Sequence, residues 1–235
     1  MLPRRGTSKD VVSGFSRTIF KAALLWVGIG LVAIVAPASA ALRQRAATAD
    51  AFDDLYRRGQ SVNKTLKTLT ARFTETTTSS LLTRPLVSHG VVAVERPSRV
   101  VLRYTDPEMR VVLIDDGHLT ISWPGRNVHQ VRDIGAAQRR VQKYFVDSSP
   151  SELRQHFDIE TRETDRPPRA YHLTMVPKRK QIKDGLAELE LWVDQSSQLL
   201  TSMRMKFPNG DTKLMEFEDV VPNATLDPST FTVVR

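Results

Sequence analysis

The 235-residue chain contains no cysteine. That excludes a disulfide framework, a thiolate metal site, a cysteine nucleophile and a lipidated cysteine. Glycine and proline are sparse, 11 and 13 residues without a period, so collagen-like and low-complexity readings fail. Hydrophobic residues make up 40%, enough for a core, so wholesale disorder fails as well. None of the five histidines shares an element with another at metal-ligand spacing, and there is no H-E-x-x-H. No P-loop, G-x-G-x-x-G or G-x-S-x-G elbow is present. Asp115-Asp116 is the nearest thing to a paired carboxylate, and Asp116-Gly117 reads more simply as a hairpin turn. The sequence staffs no catalytic role, so neither an enzyme nor a metal or cofactor site is expected.

The charge is uneven. The formal net charge is +8, from 34 Lys+Arg and 26 Asp+Glu. Arg4, Arg5, Lys9, Arg17 and Lys21 with Asp10 fall in the first forty residues, so residues 41–235 retain +4. The basic start precedes an uncharged run, Ala22–Ala36, which ends in Pro37-Ala38-Ser39-Ala40. Basic region, apolar region and A-x-A site, in that order, describe a secretory signal peptide cleaved after Ala40. The run is about 15 residues, short of the roughly 20 a membrane span needs. Residues 41–235 are therefore expected as one domain in a bacterial periplasm. A residual +4 and the absence of a recognition motif argue against nucleic acid.

Residues 48–66 read as an amphipathic helix, with Ala51, Leu55, Val62 and Leu66 as its apolar stripe. From Leu69 the period becomes two. Strands are expected over 70–79, 87–95, 99–105, 110–115, 118–123 and 128–133, helices over 138–145 and 151–157, and strands over 158–163, 170–176, 187–194, 198–207 and 211–220. In the strand over 187–194, Glu188 and Glu190 take the solvent face. Residues 230–234 are expected as a last short strand. Asp116-Gly117 and Asn209-Gly210 mark hairpins. The order is α+β with a long antiparallel meander of ten or eleven strands, which must curl. Its concave face needs a cover, and only the helices can supply one. A lidded ligand cavity and a dry core both satisfy that pattern.

Several landmarks together resemble the LolA family of lipoprotein carriers. Leu69-Thr70-Ala71-Arg72-Phe73-Thr74-Glu75 is similar to the family's L-x-A-x-F-x-Q opening strand, with Glu75 in place of Gln. Gly90, Arg96-Pro97, Arg103-Tyr104, Asp106-Pro107-Glu108, Asp116-Gly117 with Leu119, Trp123-Pro124, Phe217, Asn223 and Phe231 follow in the family's order. The resemblance spans about residues 48–234. It implies an incomplete antiparallel β-barrel with a helical lid over an apolar cavity for acyl chains. It implies that Arg96, before Pro97, closes the lid by bonding its backbone carbonyls. The alternating strands then offer Val100, Leu102, Tyr104, Val111, Leu113, Leu189, Leu191, Met203, Met205 and Phe207 as cavity wall. It also implies acylated lipoproteins as cargo, an inner-membrane LolCDE-type ABC transporter as donor and a LolB-type outer-membrane acceptor, with the carrier a monomer. A carrier of another lipid or glycolipid is the second reading. A lipid-sensing regulator of the RseB kind, which has a further C-terminal domain not expected here, is the third.

Overall fold

The computed structural model describes residues 40–141, 144–145, 148–164 and 169–233, with side chains from residue 51 onward. The signal-peptide segment lies outside the described residues apart from Ala40. Helix α1 spans Ala40–Thr65. Six strands follow: β1 Thr68–Thr78, β2 Leu86–Glu95, β3 Arg99–Asp106, β4 Arg110–Asp115, β5 His118–Trp123 and β6 Val128–Asp133. Two short helices, α2 Gly135–Val141 and α3 Pro150–His156, interrupt the meander. Strands β7 Phe157–Thr164 and β8 Ala170–Pro177 come next, then the single turn α4 Lys180–Lys183. Strands β9 Glu188–Asp194, β10 Leu200–Lys206 and β11 Thr212–Pro222 complete the sheet.

All eleven strands form one antiparallel sheet, in the order β6-β5-β4-β3-β2-β1-β11-β10-β9-β8-β7. The meander is broken once: β1 pairs with β11, so the two ends of the strand run meet mid-sheet. Strands β6 and β7 are the unpaired edges, and the barrel is incomplete. Local chemistry sets the turns. Asp116 (φ 42°) and Gly117 (φ 77°) both take the left-handed region that a two-residue hairpin requires. Pro208-Asn209-Gly210 makes a three-residue loop, with Gly210 at φ 87°. A bulge lies in β11 opposite Thr70/Arg72, where Asp219 takes φ 51° and adds local twist. Asn223 pins the junction of α1 and β1: its side chain accepts from the Lys67 amide at 2.8 Å, and its own amide donates to the Thr68 carbonyl at 2.8 Å.

Helix α1 lies over the concave face. Its buried stripe is Phe52, Leu55 and Tyr56, with Gly59. The expected stripe holds only Leu55 of these; Ala51, Val62 and Leu66 are half-buried instead. Positions 52, 55, 56 and 59 repeat at the helical period, and that alignment decides which face turns inward. Helix α3 completes the cover with Leu153. It starts at a reciprocal capping box between Ser149 and Glu152, with Pro150 in its first turn.

The strand expected over 230–234 is not formed at its described residues 230–233, and residue 234 lies outside the described residues. Pro228–Phe231 is a short 3-10 helix, capped by the Asp227 side chain, which accepts from the Ser229 amide at 2.7 Å. Asp-Pro-Ser is a better helix start than a strand, because the aspartate binds an amide that a sheet would need. This segment crosses the convex face. Phe231 packs there with Ala93, Val101, Val111, Leu113 and Leu226. Arg103 Nη2 donates to the carbonyls of Thr230 (2.7 Å) and Thr232 (2.8 Å), which fastens the segment to β3.

Candidate functional site

The inward positions of the strands make one apolar surface. Val100 and Leu102 on β3 pair with Ile114 and Val112 on β4. Leu189 and Leu191 on β9 pair with Met205 and Met203 on β10. Beyond the end of β10, Phe207 continues the same face. The helical cover lies against this surface and seals it: Leu55, Leu189 and Met205 are 0% exposed. No solvent-sized void therefore lies beside these three residues.

Eight of the ten expected wall residues (Val100, Leu102, Tyr104, Leu189, Leu191, Met203, Met205 and Phe207) belong to this cluster. Val111 and Leu113 do not. They lie on the convex face under Phe231. All four central residues of β4 are apolar, so alternation alone leaves its two faces equivalent. The register with β3 decides between them and turns Arg110, Val112 and Ile114 inward.

The cover is held at two places by polar contacts. At the C-terminal end of α1, the Arg96 guanidinium donates to the Asn63 carbonyl at 2.7 Å and also reaches its side-chain oxygen. Asn63 lies in the last turn of α1, whose carbonyls lack intrahelical donors. A cation there also complements the helix dipole. Arg96 leaves β2 at the β2–β3 turn, and its own amide donates to the Lys67 carbonyl at 2.9 Å. Along the middle of α1, the Tyr56 hydroxyl donates to the Ser148 carbonyl. Arg154 on α3 pairs with Asp53 at 2.5 Å and lies over the Phe52 ring, 4.9 Å from its centre. A polar cleft of about 510 Å³ runs between α1 and the start of α3, bordered by Asp53, Tyr56, Gln60 and Glu152.

A second polar group occupies the concave face at the rim opposite the Arg96 turn. Glu75 on β1 and Lys213 on β11 form a buried pair at 2.5 Å. The Tyr104 hydroxyl donates to the other Glu75 oxygen at 2.7 Å. Arg110 on β4 lies over the Tyr104 ring, 3.8 Å from its centre, with its nearest nitrogen 4.0 Å from Glu75. Burial opposes ionisation of Glu75, but the Lys213 charge and hydrogen bond, then Arg110 and Tyr104, outweigh it and hold the carboxyl below its ordinary range. Burial pushes the Lys213 ammonium down against the pull of Glu75. Burial and the neighbouring carboxylate push the Tyr104 phenol up.

The sequence contains a local trace of this group. Ala71, Phe73 and Glu75 alternate on one face, so a carboxylate follows two core residues. Its partner comes from a strand 138 residues away, a pairing that no local pattern discloses. Between these elements, Gly90 lies directly across from Phe73 on one side and Tyr104 on the other. The two rings meet edge to face above it at 5.0 Å.

A third network sits on the convex face. Glu190, expected to be solvated, is 6% exposed. His172 (2.8 Å) and Arg204 bind its carboxylate, and Trp192 stacks on His172 at 4.5 Å. These long side chains cover the carboxylate. Among the described residues no group of three or more His, Asp or Glu could hold a metal, and no helix is long and apolar enough to cross a membrane.

The family model described as "Outer membrane lipoprotein carrier protein LolA" matches residues 64–234. Among curated proteins none matches. An uncharacterised conserved protein from Thermus thermophilus is similar in structure, with a TM-score of 0.49 and 10% identity over 76% of this chain and 94% of that one. A LolA superfamily protein from Nitrosomonas europaea gives 0.37 and 12% over 74% and 97%. MucB of Pseudomonas aeruginosa, in its complex with MucA, gives 0.47 and 19% over 72% of this chain and 56% of the other. By the extent of the family match, which takes in every strand and the arginine turn that grips the covering helix, the chain belongs to the LolA family.

Proposed function

We propose that this chain is a periplasmic chaperone that binds the acyl chains of lipoproteins and carries them from the inner-membrane ABC transporter toward the outer membrane. The observation that supports this most is the covered concave face: a continuous apolar surface closed by helices that a few polar contacts hold. A buried methylene contributes about 0.8 kcal/mol, so a 16-carbon chain offers on the order of 12 kcal/mol before costs. Moving the cover off its apolar bed consumes part of that, which leaves the chain transferable to an acceptor. Met175, Met203, Met205 and Met215 line the surface, and their flexible thioethers can repack around a ligand. Residues 41–235 act as one domain in this reading, released after cleavage at Ala40, and Arg96 keeps the empty carrier closed.

Purified residues 41–235 are added to spheroplasts of the native host. The proposal predicts that an outer-membrane lipoprotein appears in the soluble fraction bound to the protein, above a buffer control. Folded protein that releases none, with an active transporter, contradicts it. Lipid extracted from the purified protein then identifies the alternative cargo.

A further inference from the structure

The concave face of a carrier for hydrocarbon has no need of charge, yet this one holds two cations, Lys213 and Arg110, and two carboxylates, Glu75 and Asp211. Lys213 (3% exposed), Glu75 (4%) and Arg110 (9%) all point inward among apolar neighbours. Glu75 is committed on both oxygens, to Lys213 and to Tyr104. At 4.0 Å, Arg110 is beyond hydrogen-bond distance of it. The Arg110 Nε is buried without a hydrogen-bond partner. Just before β11, Asp211 Oδ2 accepts from the Asn209 side-chain amide at 2.7 Å in the hairpin loop, while its Oδ1 is buried without a hydrogen-bond partner. An uncompensated donor on a guanidinium is costly to bury, and guanidinium geometry fits planar or tetrahedral oxyanions.

Position matters as much as charge. Tyr104 and Arg110 flank the β3–β4 turn, so the group sits at the rim. From there the apolar strip of Leu102, Val112, Val100 and Ile114 runs away toward the Arg96 end. A headgroup at Arg110 would leave its hydrocarbon lying along that strip. We propose that the Arg110–Lys213–Glu75–Tyr104 group is a subsite for an anionic headgroup, the carboxylate or phosphate of an acyl-chain amphiphile, with Arg110 as its principal donor. The proposal rests on the carrier reading. It narrows the cargo to amphiphiles with an oxyanion near the chain.

The test uses residues 41–235 loaded with the neutral apolar dye N-phenyl-1-naphthylamine, displaced by dodecanol, dodecanoate or dodecyl phosphate at pH 8. The chains are equal, so only the headgroup differs. The proposal predicts that at least one anion displaces the dye at about tenfold lower concentration than dodecanol, the size of one charge-assisted hydrogen bond. Preference for dodecanoate assigns a fatty-acid-type carboxylate, and preference for dodecyl phosphate assigns a phospholipid-type phosphate. Arg110→Met should abolish the preference for the anions over dodecanol. Should that variant not fold, Arg110→Lys provides the second reading: it keeps the charge but loses the planar fork, and should reduce the preference several-fold. Equal displacement by all three overturns the subsite and leaves the carrier reading intact. A dye that never binds, or that none of the three displaces, overturns both.

Discussion

Arg96 and Asn63 bind each other across the gap between sheet and cover: the guanidinium at the β2–β3 turn donates to the carbonyl in the last turn of α1 at 2.7 Å. The contact is exposed and polar, so it closes α1 without fastening it permanently. Arg96→Leu should cost only about 0.5–1.5 kcal/mol of stability, the net worth of a hydrogen bond. Its larger effect should be kinetic. Amide exchange at residues 63–66 should accelerate, and bound lipoprotein should accumulate on the variant. Unchanged exchange together with unchanged transfer would remove Arg96 from the account.

The Glu75–Lys213 pair predicts strong non-additivity. Removing either partner strands a buried charge and should cost about 3–5 kcal/mol. Replacing both, Glu75→Leu with Lys213→Met, should cost less than either single change. Urea unfolding of the four proteins measures the cycle. Additive losses would mean that the two groups do not meet in solution.

The same carboxylate carries a pH signature. Its folded value lies below the ordinary value of 4.5. Its contribution is therefore complete above that value and is lost as pH falls through the lower, folded value. Stability between about pH 5 and 2 should fall more steeply in the wild type than in Glu75→Gln, once the variant's lower plateau is subtracted. Parallel curves would contradict the assignment.

Gly90 makes a steric prediction. A Cβ there would collide with the Arg103 carbonyl oxygen and stand 2.8 Å from the Phe73 ring. Gly90→Ala should cost about 1–3 kcal/mol and disturb the Phe73–Tyr104 ring pair, visible in near-ultraviolet circular dichroism. An unperturbed variant would mean that β2 sits farther from those rings.

Much of the fold is legible in the sequence, because each strand is bounded by a turn with its own chemistry. Asp116-Gly117 and Asn209-Gly210 place two hairpins, and Ser149-Pro150 places a helix. What local patterning does not supply is long-range register. The apolar run Val111–Ile114 leaves both faces of β4 open, and only its pairing with Val100 and Leu102 turns Val112 inward. The buried charges illustrate the same limit: nothing local to Lys213 discloses that β1 brings Glu75 beside it. The cover is the other departure. A loose stripe through Ala51 and Val62 competes in the sequence with the tighter aromatic one through Phe52 and Tyr56, and the aromatic stripe buries more apolar surface.

Cross-linking from inside the sheet tests the central claim most directly. Benzoylphenylalanine in place of Phe207, an aromatic wall residue 5% exposed, faces the sealed interior. The same group in place of Val131, 56% exposed on edge strand β6, serves as the outer control. The account predicts that irradiation of the living host joins a lipoprotein to the Phe207 position and not to Val131. A lipoprotein joined at Val131 alone, or at neither position in a folded protein, would contradict an acyl chain carried on the concave face.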